Sequence, residues 1–275
     1  MLRFSANLGL LFTDSPFPER FGRAAAAGFR AVEYMFPYDH DVAELSAALR
    51  TNGLRQDLFN LPAGDFAAGE RGLAVDPRRR DEFAAGVERA LATADRLGCR
   101  KLNCLVGRRL DGLGWETQYA CLVENLRGAA ERVASAGITL LVELLNPVET
   151  PGFFLDSIAV VGRLLDDVAM PNLKFQFDAY HVQRTQGELV PTFRALADRI
   201  GHVQIADAPE RHEPGTGEIN YRYVLAQIEA AGYDGCVGLE YRPSGPTEES
   251  LGWIEAYGYH LGGQVGDPPR KEPQA

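Results

Sequence analysis

The sequence predicts one α/β domain closed as a single (β/α)8 barrel, and three observations carry that expectation. Short β-branched and apolar runs alternate eight times with longer amphipathic segments, the pattern of βα units on a parallel sheet. Glycines stand where helix gives way to strand. The strand-to-helix connections are long and polar while the returns are short, as in a barrel whose chemistry sits at its C-terminal mouth.

In order, strands are expected over 2–8, 31–36, 55–59, 101–106, 139–145, 174–177, 202–206 and 236–241. The helices between and after them fall over 17–27, 41–51, 78–97, 116–136, 156–168, 189–199, 220–231 and 246–257. Gly28, Gly53, Gly98, Gly137 and Gly232 mark helix ends, where a left-handed residue stops the helix. The long connections are NLPAGDFAAGERGLAVDP after the third strand, GRRLDGLGW after the fourth and DAPERHEPGTGE after the seventh. A doubly wound open sheet competes with this topology, but no GxGxxG follows the first strand and eight regular units favour closure. The barrel domain is read as residues 1–258. The Pro- and charge-rich end, 259–275, has no apolar periodicity and reads as a loose tail.

Composition narrows the function. The chain has 275 residues, 45% hydrophobic and 24% charged, enough for one domain with a sizeable core. Its formal net charge of -10, with no basic stripe, argues against nucleic acid as a partner. The N-terminal MLRFSANLGLLF lacks the basic run and cleavage pattern of a signal peptide and reads as the first strand. No segment approaches the roughly 18 uninterrupted apolar residues of a membrane span. Cys99, Cys104, Cys121 and Cys236 are scattered and form no CxxC pair, as in a reduced cytoplasmic protein. Without GxSxG, P-loop or HExxH, neither a nucleophilic hydrolase nor a zincin is indicated, and NAD, flavin and PLP are not expected as cofactors.

Four polar residues interrupt or finish the last four apolar strands: Glu143 in LLVELLN, Asp178 in KFQFDAYH, Gln204 in GHVQIAD and Glu240 in VGLEY. A single carboxylate at a strand end is ordinarily a solvated terminus or a salt-bridge partner. Four on consecutive strands of a closed barrel converge on one mouth, where like charges need a compensating cation. Three carboxylates and an amide oxygen make a hard, all-oxygen metal site suited to Mg2+ or Mn2+. His181, in DAYH, can reach the same mouth and orient or protonate a substrate oxygen. Arg211, seven residues after Gln204, can hold a substrate carboxylate in a bidentate pair. Asn7 and Asn60 end the first and third strands as hydroxyl ligands. Glu70 and Arg71 lie in the long third loop as lid residues, with Glu70 counted in the substrate-binding set.

The strings MLRFSANL, VEYMFPYD, NLPAGDFAAGERG, LNCLVG, LVELLNP, DAYHVQRTQGEL, GHVQIAD, EPGTGEINY and GLEYRP, spread over roughly residues 1 to 257, resemble the hydroxypyruvate isomerase family. That family lies within the xylose-isomerase-like TIM barrels and includes 2-oxo-tetronate isomerases. The resemblance implies a barrel with a divalent metal held by Glu143, Asp178, Gln204 and Glu240, and Glu143 and Glu240 as proton donor and acceptor. It implies a small hydroxy-keto acid as substrate, isomerised through an enediolate without a redox cofactor. A 2-oxo-tetronate is the alternative substrate, and ketose 3-epimerisation a more distant one. Sugar-epimerase relatives usually carry His at the position of Gln204, and an amide oxygen is a harder ligand that disfavours zinc. Homo-oligomerisation is left open.

Overall fold

A computed structural model describes residues 1–262. Eight parallel strands pair in chain order and close on themselves, β8 against β1. They are β1 (Arg3–Asn7), β2 (Ala31–Glu33), β3 (Arg55–Asn60), β4 (Lys101–Cys104), β5 (Thr139–Glu143), β6 (Leu173–Asp178), β7 (Ile200–Ile205) and β8 (Cys236–Leu239). The helices are α1 (Phe17–Ala26), α2 (Val42–Thr51), α3 (Arg80–Leu97), α4 (Trp115–Ala134), α5 (Ile158–Val168), α6 (Ala179–Thr185), α7 (Leu189–Leu196), α8 (Tyr221–Ala230), α9 (Thr247–Ser250) and α10 (Gly252–Ala256).

Local chemistry places the ends of these elements. Asp41, Ser157 and Asn220 cap α2, α5 and α8 by accepting from backbone N–H groups of the first turn. The glycines that end five of the helices, Gly28, Gly53, Gly98, Gly137 and Gly232, all take left-handed backbone, with φ from 61° to 102°. On α5 the buried residues Val161, Leu164, Leu165 and Val168 recur at helical spacing and lie against the sheet.

Several strands end earlier than expected, β2 at Glu33 and β8 at Leu239, and two expected elements differ in kind. The segment after β6, expected as loop, is the helix α6, which starts immediately because Asp178 caps it. Its seven residues are too few to show a period. The helix expected over 246–257 is two short helices that meet at Leu251 and Gly252. Near the end of the described chain, the Tyr259 ring packs edge-on against Phe4, with centroids 5.7 Å apart. The rest of the expected tail, 263–275, lies outside the described residues.

What positions the site is the barrel interior. Outward-facing Phe175, Phe177, Val203, Ile205, Val237 and Leu239 belong to the apolar layer beneath the helices. Their neighbours along the strands are buried polar groups: Gln176 and Asp178 on β6, His202 and Gln204 on β7, and Glu240 just past β8. Ser5, Asn7, Glu33, Asp57, Asn103 and Glu143 continue this polar column on the other strands. Barrel interiors are ordinarily filled by branched apolar side chains, so a column of buried carboxylates must find its partners within itself.

At the floor it does. Asp57 pairs with Arg55 at 2.7 Å and with Lys101 at 3.1 Å. Burial would raise its carboxyl, but Lys101, His202 and Arg55 together pull it down to about 2. Lys101 Nζ lies 3.2 Å from His202 Nδ1, and His202 Nε2 lies 3.0 Å from Glu33.

Candidate active site

Asp178 ends β6 and caps α6: its Oδ1 accepts from the Tyr180 N–H at 2.8 Å. That bond fixes the carboxylate and turns Oδ2 to the mouth, where, buried, it has no hydrogen-bond partner among the described residues. His181 Nε2 is 3.6 Å from Oδ2, and Arg211 Nη2 is 3.8 Å away. The Asn146 backbone N–H donates to His181 Nδ1 at 3.1 Å, so the ring proton sits on Nε2 and faces the mouth. Burial, then Arg211 and Arg184, hold His181 well below its usual range, which makes it a neutral donor.

Glu143 ends β5 and accepts from Asn103 Nδ2 at 2.9 Å. Glu240 follows β8 and accepts from Asn7 Nδ2 at 3.1 Å and from Arg211 Nη2 at 2.5 Å. Burial raises Glu143 well above its ordinary value, and Glu240 and Asp178 add to the shift. Burial likewise raises Glu240, to about 8, with Arg211 opposing and Asp178 and Glu33 reinforcing. Asp178 is raised by burial, with Arg211 and two backbone N–H groups opposing. Arg211 shows the other side of the balance: burial would lower its guanidinium, but Glu240, Asp178, Glu149 and Glu143 hold it above its ordinary value. Three buried carboxylates thus share one arginine.

That imbalance is what a divalent ion would relieve. Glu143 and Asp178 place carboxylate oxygens within 4.8 Å of each other and of His181 Nε2, whose proton makes it a donor beside the cluster and not a ligand. With Glu240 beside them and the orphaned Asp178 Oδ2 aimed at the same space, the donor set fits a hard cation. Glu33, Asp57 and His202 are as close together at the floor. The Lys101 ammonium already sits there, 3.1 Å from Asp57, so that cluster is neutralised without a metal.

The remaining expected residues spread over two levels and one loop. Gln204, in register with Asp178, is tied to the floor, its Nε2 donating to Glu33 Oε1 at 2.7 Å and its Oε1 accepting from Gln176 at 2.6 Å. Asn7 joins mouth to floor, with a second, longer contact of 3.4 Å to Glu33. Asn60 is buried at the end of β3, beside Asn103 in register. Glu70 closes its own loop by accepting from the Asp65 N–H at 2.6 Å and pairing with Arg79. Arg71 stacks its guanidinium 3.9 Å over the Phe66 ring.

Several residues at the site escape a sequence reading. Glu149, in the loop after β5, pairs with Arg211 at 2.9 Å and accepts from the Tyr180 hydroxyl at 2.9 Å. Asn146 holds both His181 and the turn that delivers Glu149, whose N–H donates to Asn146 Oδ1 at 3.0 Å. Asp207 gathers the loop after β7 by accepting from the N–H groups of Gly215, Gly217 and Ile219 at 2.8 to 3.0 Å. This explains the glycines in EPGTGEINY: the segment wraps one buried carboxylate. The same loop fixes Arg211 in left-handed backbone, φ 62°, with its N–H on Asp207 O at 2.9 Å. The signal available for Asp207 is its place directly after the apolar run of β7.

Residues 21–257 match the family described as Xylose isomerase-like TIM barrel. The hydroxypyruvate isomerase of Escherichia coli (strain K12) is 52% identical over 257 residues, covering 94% of this chain and 100% of that protein. A 2-oxo-tetronate isomerase of Cupriavidus necator is 43% identical over 257 residues, covering 94% and 99%. Among solved structures, a protein of Brucella melitensis described as AP endonuclease, family 2, superposes with a TM-score of 0.90 at 44% identity, covering 94% of this chain and 99% of its own.

The raised carboxylates make stability depend on pH. A carboxyl raised from 4.5 to about 8 in the folded chain contributes stability that is fully present below the unfolded value and is lost as pH rises through 8. In metal-free protein, thermal melts of the wild type and of Glu240→Gln should therefore diverge between pH 5 and 8, the wild type losing more. Added Mn2+ should restore the wild type preferentially, because a ligand-bound carboxylate is stabilised in its charged form. Parallel melting curves across that range would show that Glu240 carries no such shift.

Proposed function

The chain belongs to the xylose isomerase-like TIM barrel family, and on that premise we propose that it is an isomerase interconverting hydroxypyruvate and tartronate semialdehyde. The observation that carries the proposal is the set of buried carboxylates at the barrel mouth, with Glu143 and Glu240 both pushed up and Asp178 Oδ2 without a hydrogen-bond partner among the described residues. The similarity to hydroxypyruvate isomerase over 94% of the chain supports the same reading.

The conversion needs one proton taken from C3 of hydroxypyruvate and one returned to C2, with the hydroxyl proton passing from O3 to O2. Atoms and electrons balance without a redox cofactor. Glu143 and Glu240 stand three strands apart around the ring, so they approach a substrate lying over the mouth from different sides. One removes the proton and either can return it; values raised toward neutrality suit both directions. The neutral His181 Nε2–H donates to a substrate oxygen as charge develops on it. Mg2+ or Mn2+ would be held by Glu143, Asp178, Gln204 and Glu240, and when bound it supplies charge neutralisation for the enediolate. Arg211 would receive the substrate carboxylate, exchanging it for one of the carboxylates it now holds. Asn7 and Asn60 would offer amides to substrate hydroxyls, and the third loop, closed on itself by Glu70 and carrying Arg71, would serve as a lid. A second reading, a 2-oxo-tetronate as substrate, is favoured by the 43% identical relative and would use the same carboxylates. The four buried free cysteines suit a reducing cytoplasm.

Glu143→Gln and Glu240→Gln should each lower turnover by about two or more orders of magnitude while remaining folded, since each removes a proton carrier and keeps the shape. Metal content measured on the same samples separates lost acid–base function from lost metal, and near-normal turnover in either variant refutes its role. For Arg211→Ala, the Michaelis constant for hydroxypyruvate should rise far more than for an uncharged analogue, truncation of a buried charge pair costing about 2 to 5 kcal/mol. Equal losses on both substrates would instead make Arg211 a residue that only orients Glu240.

A further inference from the structure

We propose that Glu33 is a positioning residue that sets which way round the Gln204 side-chain amide sits, so that its oxygen, and not its nitrogen, is the end turned away from Glu33 and able to offer a lone pair to a cation. The inference rests on the reading of Gln204 as a metal ligand and adds the group that makes it one.

An amide binds a hard cation through its oxygen; the NH2 end carries donors only. On a strand the two ends can exchange by rotation about the last side-chain bond, so something must decide between them. Glu33 is wholly buried, and four donors meet its carboxylate: Ser5 Oγ at 2.7 Å, Asn7 Nδ2 at 3.4 Å, His202 Nε2 at 3.0 Å and Gln204 Nε2 at 2.7 Å. A carboxylate only accepts, so a turned Gln204 would set its oxygen against another oxygen in a buried site. Gln176 Nε2 completes the arrangement by donating to Gln204 Oε1 at 2.6 Å.

The polarity is inherited from the floor. Lys101 can only donate, and its Nζ faces His202 Nδ1 at 3.2 Å. Nδ1 therefore accepts, the ring proton sits on Nε2, and Nε2–H donates to Glu33. Lys101 and His202 thus donate in turn toward Glu33 from the floor, and the Gln204 amide donates to the same carboxylate from the other side. Gly238 leaves the space for it: a Cβ there would lie 2.4 Å from Glu33 Oε1. Second partners of this kind typically tune metal affinity by about 10- to 100-fold.

The test is a two-by-two cycle on metal-stripped full-length chain, with Mn2+ affinity read by calorimetry and folding by thermal melts. Glu33→Gln presents an NH2 as well as an oxygen and releases the Gln204 amide. It should weaken Mn2+ binding about 10- to 100-fold in the wild-type background and cause no further loss in a Gln204→Ala background. An equal loss in both backgrounds, or no loss in either, overturns the proposal by making Glu33 merely structural or irrelevant. If Gln204→Ala alone leaves Mn2+ affinity unchanged, Gln204 is no ligand, and both the metal assignment and the role of Glu33 fail. Should Glu33→Gln not fold, a crystal structure of the unaltered chain with Mn2+ decides: Gln204 Oε1 on the ion with Nε2 on Glu33 is expected, and an amide turned away from Glu33 overturns it.

Discussion

Carboxylates buried in a barrel must be compensated, and the unequal way this chain does so organises everything else. Five of them, Glu33, Asp57, Glu143, Asp178 and Glu240, lie inside the strands or at their ends. The two at the floor are supplied with the cations Lys101 and Arg55 and with the His202 Nε2–H as a donor to Glu33, and Asp57 falls to about 2. The three at the mouth share Arg211, and Glu240 rises to about 8. A carboxyl group is held charged at one end of the column and pushed toward neutrality at the other. A stable ion network and a reactive site differ here by the count of cations within reach.

The two ends are mechanically joined. Asn7 touches both Glu240 and Glu33, and Gln204 stands on Glu33 while lying in register with Asp178. The floor network therefore fixes the orientation of groups at the mouth, as a preorganised site requires. The loops do the rest: Asn146 delivers His181 and Glu149, and Asp207 delivers Arg211. Each of these is a short polar side chain satisfying backbone N–H groups in its loop, which keeps the functional groups rigid where no strand supports them.

The ring of eight strands and the mouth carboxylates are legible in the sequence because Glu143, Asp178, Gln204 and Glu240 break otherwise apolar strands, and glycines punctuate the helices. The floor is not. Both faces of a barrel strand are buried, so a period of two separates side chains without saying which set points inward; Glu33, Asp57 and His202 read as ordinary polar strand residues. The helix α6 is hidden by its length, and its cap, Asp178, is a residue whose other oxygen belongs to the site. Glu149 and Asn146 sit in a connection with no period at all, where only contacts made in the folded chain identify them.

The account stands on proton transfer between adjacent carbons by carboxylates at the mouth. Its most direct measurement is conversion of hydroxypyruvate by Mn2+-loaded protein in D2O, followed by NMR through the first turnover against an enzyme-free control. Tartronate semialdehyde carrying solvent deuterium at C2 is the predicted result, because the proton passes through an exchangeable carboxyl. Product that retains at C2 the hydrogen lost from C3, with no deuterium from solvent, would contradict passage of the proton through an exchangeable carboxyl.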